Sequence, residues 1–163
     1  MRILGIDPGA AITGFGLIEV DSKDQCHPLQ YGVITTSAGQ AVEQRLLIVH
    51  QELKKIILLH QPDTAAVEKL FFQRNVSSAM AVGQARGVIL LALAETGVPF
   101  LEYTPNEVKQ SVAGHGSAQK VQIQTMVKML LNLDQIPKPD DAADALAIAL
   151  CHASMIKWKT LVK

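Results

Sequence analysis

With 163 residues, 48% of them hydrophobic, the chain has the length of one ordinary domain whose core needs neither disulfides nor a structural metal. Its 15 basic and 15 acidic residues balance to a formal charge of zero, so it lacks the overall positive excess of a general nucleic-acid binder, although carboxylates neutralised by divalent cations would leave the balance positive. The two cysteines, Cys26 and Cys151, have no ligand or redox spacing, and no apolar run approaches the ~20 residues of a membrane span, so a single cytoplasmic domain over 1–163 is expected.

The first apolar runs, ILGID, GFGLIEV and YGVIT, are separated by Pro8-Gly9 and by a polar stretch from Asp21 to Gln30, and predict a three-stranded meander. From Val42 to His60 the residues Val42, Leu46, Val49, Leu53, Ile56 and Ile57 recur at helical spacing until Gln61-Pro62-Asp63 ends the run. TAAVEKLFF follows as a buried strand, then a helix from Ser77 to Thr96 stopped by Gly97-Val98-Pro99, then a fifth strand, PFLEY. Ser117 is expected to cap a helix carrying Ile123, Met126, Val127 and Leu130 on one stripe. Beyond Pro137 and Pro139 a last helix begins near Asp140. Three meandering strands followed by alternating helix and strand predict an α/β fold: a five-stranded mixed sheet, antiparallel then parallel, with helices on both faces.

Four carboxylates stand in positions that composition does not explain. Asp7 ends the first strand, where a turn-forming role competes with a functional one. Glu68 sits among Ala65, Ala66, Val67 and Leu70 in a strand that parallel neighbours would bury, and Lys69 cannot pair with it because adjacent strand residues point to opposite faces. In Pro139-Asp140-Asp141-Ala142-Ala143-Asp144, Asp140 suits a helix cap, whereas Asp141 and Asp144 share a face with Ile148, Cys151 and Met155. Convergence of the four would set like charges ~4 Å apart, a repulsion of about 4 kcal/mol per pair at an effective dielectric near 20. Retained protons or divalent cations would have to offset it, and an oxygen-only donor set favours Mg2+ or Mn2+ over Zn2+.

The segments GIDPGAAITGFG, AAVEKLFF, GQARG, VKQSVAGHGSAQK and DDAADALAIA, in this order over nearly the whole chain, resemble the motifs of the RuvC family of Holliday-junction resolvases. The resemblance implies a ribonuclease H-like fold and a nuclease that resolves four-way DNA junctions by paired symmetric nicks, leaving 5'-phosphate and 3'-hydroxyl ends. It implies Asp7, Glu68, Asp141 and Asp144 as catalytic acids holding two Mg2+ ions, with Mn2+ a plausible substitute. It matches Phe71 to an aromatic that contacts bases, with Phe72 either packing or a second contact, and Lys109 and Lys120 to basic residues near the scissile backbone. Arg74, Asn75 and Ser77 are candidates for phosphate contact or for a solvated cap. The loop Gly114-His115-Gly116-Ser117 suits an anion, and His115 is a weaker candidate for proton transfer. A homodimer through the apolar helix 77–96 and the branch-migration proteins RuvA and RuvB are the implied partners, with no membrane. The rivals are a ribonuclease H-like nuclease acting on structured RNA, an actin-like ATPase suggested only by the Asp7–Gly14 loop, and a noncatalytic junction-binding module.

Overall fold

Two near-continuous buried runs in the first twenty positions form adjacent strands covered on both faces, and the rest of the sheet grows from them. In the computed structural model, which describes residues 1–69 and 76–161 but not the side chains of 76–78 and 157–161, five strands form one sheet in the order β3-β2-β1-β4-β5. β1 (Arg2–Asp7), β2 (Ile12–Val20) and β3 (Cys26–Thr35) are the antiparallel meander; β4 (Thr64–Glu68) and β5 (Phe100–Tyr103) continue it in parallel. α1 (Val42–His60) and α2 (Val76–Glu95) cover one face. α3 (Pro105–Ala113), α4 (Lys120–Leu130) and α5 (Asp140–Leu161) cover the other. The predicted architecture is the observed one.

Period-two alternation divides the core. Leu4, Ile6, Leu17, Ala65 and Val67 meet Val49, Leu53 and Ile57 of α1 and Ile89 and Leu93 of α2. Ile3, Ile18, Ala66 and Tyr103 meet α3, α4 and α5 on the other side, α5 contributing Leu146, Ile148 and Leu150. Each large aliphatic side chain withdrawn from water in this way contributes about 1.5–3 kcal/mol. The buried His152 ring of α5 is paired at both nitrogens on this second face, spanning from Tyr103 Oη (2.8 Å at Nδ1) to Thr64 Oγ1 (2.9 Å at Nε2) and tying α5 to both β4 and β5.

Three expectations need correction. β3 begins at Cys26 rather than after Gln30, because an edge strand paired only with β2 can be polar; the register shifts between Leu17 and Ile18, where Pro28 is accommodated. β4 ends at Glu68 and does not include Lys69, while Phe71 and Phe72 lie outside the described residues. Ser117 does not cap α4. That helix starts after Gln119, whose N–H donates to Gln122 Oε1 (2.7 Å), while the buried Ala118 anchors the turn before it. A helix was also overlooked: α3 carries a capping box, Thr104 Oγ1 accepting from Glu107 N–H (3.1 Å) and Glu107 Oε2 from Thr104 N–H (2.7 Å), with Pro105 in its first turn.

α5 comes unusually close to β1 and β2. A Cβ at Gly5 would stand 2.1 Å from Ala145 O, and one at Gly14 would stand 2.1 Å from Asp141 O. Both obstacles are helix backbone, which cannot rotate away. Gly14→Ala is therefore expected to cost about 1–3 kcal/mol and to lift the start of α5 from the sheet. Denaturant unfolding checks this, and an alanine variant as stable as the parent would contradict the close approach.

Candidate active site

The strand pleat and the helical repeat together bring four acids to one edge of the sheet. Asp7 ends β1 and shares a face with Gly5, the face on which α5 lies. Glu68 ends β4, whose parallel register with β1 pairs Ile6 with Val67, so Glu68 falls beside Asp7 on the same face. Asp141 and Asp144, in the first turns of α5, come down over them because Gly14 opposite Asp7 leaves room for the Asp141 backbone. The turn after Asp7 is fixed from outside the cluster. Ala10 O accepts from Arg45 Nη2 (2.7 Å) and from Thr36 Oγ1 (3.0 Å), and Gly9 O accepts from the buried Thr13 hydroxyl (2.9 Å).

A cleft of ≈ 260 Å³ is lined by Asp7, Glu68 and Asp144 together with Lys109, Lys120 and the apolar side of α3 and α4. Asp141 is not among the lining residues, although its charge reaches Asp7. Lys109 projects from the overlooked helix α3, which explains how a lysine that looks ordinary in sequence reaches the acids. Lys120, first residue of α4, places Nζ 3.2 Å from Asp144 Oδ2 and 3.6 Å from Asp140 Oδ2. A larger cleft of ≈ 690 Å³ toward the other end of α5, lined by Cys26, Val112, Met129 and Leu150 among others, holds no comparable group of acids.

Burial and mutual repulsion shape the charges. Burial first, then the charges of Glu68, Asp144 and Asp141, push Asp7 up from 3.8 to about 7, against a smaller pull from Lys120. Burial, then Asp144, pushes Glu68 from 4.5 to about 7, with Lys109 opposing. Asp144 is also raised, chiefly by burial, although its hydrogen bond to Lys120 works the other way. For Lys120, burial lowers the pKa but the bond to Asp144 and the charges of Asp144 and Asp140 outweigh it, and the ammonium is held above its ordinary range. Asp140 lies low instead, held by its hydrogen bond to Lys138.

An all-carboxylate donor set with two acids raised to about 7 has the chemistry of a hard divalent-cation site. Among the described residues no three His, Cys, Asp or Glu side chains converge tightly enough to hold an ion as they stand. Converged rotamers place like charges together and need a positive charge to favour them. The donor set therefore fits the ion, with side-chain rotation required to close the shell.

Phe71, Phe72, Arg74 and Asn75 are outside the described residues, as is the side chain of Ser77. His115 is exposed, contacts Ser117 Oγ at 3.2 Å and is not in the cleft lining. Gly114 caps α3, its N–H donating to Gln110 O (3.0 Å), so that amide is not available to an anion. Among the described residues no helix is long and apolar enough to cross a membrane.

Comparison with known proteins identifies the family. Residues 3–152 match the family described as crossover junction endodeoxyribonuclease RuvC. The chain is 55% identical over 159 residues to the crossover junction endodeoxyribonuclease RuvC of Moorella thermoacetica, covering 98% of this chain and 95% of the relative. It is 38% identical to Thermus thermophilus RuvC, whose structure superposes with a TM-score of 0.91 over 98% of each chain. The same protein in complex with a Holliday junction substrate gives 0.93 at 38% identity, over 98% of this chain and 97% of that one.

The raised acids set a pH dependence. Between about pH 4 and 7 the folded chain retains protons on Asp7 and Glu68 that the unfolded chain has released, so metal-free stability falls as pH rises through that window. Unfolding in EDTA should lose on the order of 2 kcal/mol per group between pH 5 and pH 8, and correspondingly less in Asp7→Asn. A metal-free stability that rises over this range, or an identical slope in Asp7→Asn, would contradict the burial of these charges.

Proposed function

The chain belongs to the RuvC family of crossover junction endodeoxyribonucleases, and on that premise we propose that Asp7, Glu68, Asp141 and Asp144 are its catalytic, metal-binding acids. It is a nuclease that resolves four-way DNA junctions. The observation that carries the site assignment is the pair of raised carboxylates, Asp7 and Glu68, side by side at the strand ends in a cleft that also holds Asp144 and two lysines. Mg2+, with Mn2+ as a substitute and two ions per site, would supply Lewis acidity that makes water a nucleophile near neutral pH and neutralises charge on the departing 3'-oxygen.

What the chain's own residues do follows from their placement. Asp7 and Glu68, fixed on neighbouring strands, form the rigid half of the donor set, since strand ends within a five-stranded sheet move little. Asp141 and Asp144, on one helix, form the half that can adjust by rotamer. Lys109 and Lys120 bring two ammonium groups to the same cleft, where a phosphodiester backbone would meet them. Lys120 is held by carboxylates on one side and is 54% exposed, so it can reach outward to a phosphate. Phe71, Phe72 and Arg74 follow Glu68 closely in sequence; the base contact of Phe71 rests on the family resemblance, and Phe72 and Arg74 are candidate DNA contacts by their place beside it. The products of this reading are 5'-phosphate and 3'-hydroxyl ends.

A homodimer supplies the second active site that symmetric nicking requires. On α2, Met80, Gln84, Gly87 and Leu91 form an exposed stripe at helical spacing, with Met80 63% and Leu91 50% exposed and nothing within 4 Å of a Cβ built on Gly87. That stripe is the surface we assign to the partner subunit. RuvA and RuvB are partners on family resemblance alone.

Two experiments test these assignments. With Mg2+, an end-labelled mobile four-way junction should receive paired symmetric nicks, and matched linear duplex or structured RNA should not. Glu68→Gln is expected to lower the rate at least ~1000-fold, equivalent to the several kcal/mol that such charge stabilisation supplies, with junction affinity within a few-fold. Undiminished cutting by Glu68→Gln would remove this residue from the site, and preferential cutting of RNA would contradict the substrate assignment. Separately, Leu91→Glu should turn a dimeric mass in light scattering into a monomeric one at micromolar concentration while leaving far-UV circular dichroism unchanged; a dimer that persists excludes the α2 stripe.

A further inference from the structure

Asp140 is the acid that the catalytic assignment leaves over, yet it is surrounded by charge. Its Oδ1 accepts from Lys138 Nζ at 2.7 Å, and its Oδ2 lies 3.6 Å from Lys120 Nζ, the same ammonium that stands 3.2 Å from Asp144 Oδ2. Lys120 is thus shared between a cleft-lining acid and an acid that does not line the cleft. Behind this pair, one turn along α4 from Lys120, is Gln124. It is buried to 5% exposure, and its Nε2 finds no partner within hydrogen-bond distance among the described residues.

The sharing creates a conflict for the site proposed above. An ammonium on Asp144 occupies the lone pairs that a divalent cation would need, and it repels that cation. Removing Lys120 altogether would relieve the conflict but would also strip the cleft of a positive group placed for the DNA backbone. A second carboxylate just outside the donor set offers a third course. Lys120 can give up Asp144, move its short distance fully onto Asp140, and remain at the rim of the cleft. Exposed ion pairs of this kind are weak, so the exchange has little to overcome: the side chains of Lys120, Asp140 and Asp144 are 54%, 41% and 32% exposed.

We propose that Asp140 is a positioning residue that draws Lys120 away from Asp144, freeing Asp144 for the divalent cation while keeping the ammonium at the edge of the cleft. Lys138 is part of the arrangement, because its hydrogen bond fixes the Asp140 carboxylate in place to receive Lys120. The inference rests on the carboxylate cluster being the metal site.

The test is Mn2+ binding by the full chain in the absence of DNA, read from the electron paramagnetic resonance signal of free Mn2+. The four proteins are the parent, Asp140→Asn, Lys120→Gln and the double variant, each checked for an unchanged circular dichroism spectrum. Asp140→Asn is expected to weaken Mn2+ binding roughly fivefold, the scale of one exposed ion pair, because Lys120 then stays on Asp144. In the Lys120→Gln background the same substitution should change the affinity less than twofold, since no ammonium is left to reposition. Equal weakening in both backgrounds would mean that Asp140 acts only through its charge at a distance, and no weakening in either would mean that it does not act on the metal site; both results overturn the proposal while leaving the metal site standing. If the parent binds no Mn2+ at all, the metal-site assignment falls and this inference falls with it.

Discussion

The approach of α5 to the β1–β2 pair is the constraint on which the site depends. Gly5, Gly14 and Gly16 leave the helix backbone in the space that side chains would otherwise fill. Any larger residue would push α5 outward and carry Asp141 and Asp144 away from Asp7 and Glu68. The same contact seats Leu146 and Ile148 in the core, so the interaction that stabilises the second face of the sheet is also the one that sets the distance between acids on strands and acids on a helix. The His152 bridge to Tyr103 and Thr64 holds the middle of α5 to β4 and β5, which fixes the helix beyond its first turns.

That geometry has an electrostatic consequence. Carboxylates brought together in a partly desolvated cleft destabilise the folded chain at neutral pH, and both Asp7 and Glu68 are pushed to about 7 as a result. A structure selected for stability alone would place Asn or Gln there. Acids are useful in this setting because a divalent cation offsets the repulsion and converts it into affinity. The two lysines partly screen the cluster without closing it, one from α3 and one from α4. Zero net charge is thus compatible with DNA as a substrate: on the proposed reading, phosphates would meet the local arrangement of charge around the cleft rather than its sum over the chain.

Much of this was legible in the sequence because periodicity and burial leave strong marks. The 3.6-residue stripe of α1 and the short apolar run of β1 before Pro8-Gly9 predicted those elements closely, and a carboxylate within the apolar run of β4 marked Glu68 as out of place. Asp141 and Asp144 were legible as an i, i+3 pair on the buried side of a helix. Other features left weaker marks. β3 is an edge strand with polar residues and a register shift, so its first half resembled a loop. α3 was overlooked although Thr104-Pro105-Asn106-Glu107 spells a capping box, because its apolar stripe is short; with it went the reason that Lys109 faces the acids. The close-packing glycines were invisible as such, since a glycine needed for helix approach and one needed for a turn look alike until the helix is placed. The sharing of Lys120 between Asp140 and Asp144 joins elements far apart in the chain, and no local spacing encodes it.

The central claim, that these four acids hold the divalent cation, is tested most directly by anomalous diffraction from crystals of the protein soaked in Mn2+. The account predicts anomalous density between Asp7, Glu68 and the first turn of α5, with carboxylate oxygens at roughly 2.0–2.3 Å from the ion. Density confined to other carboxylates, such as Asp140 or Glu95, or no density at the strand ends under saturating Mn2+, would contradict it.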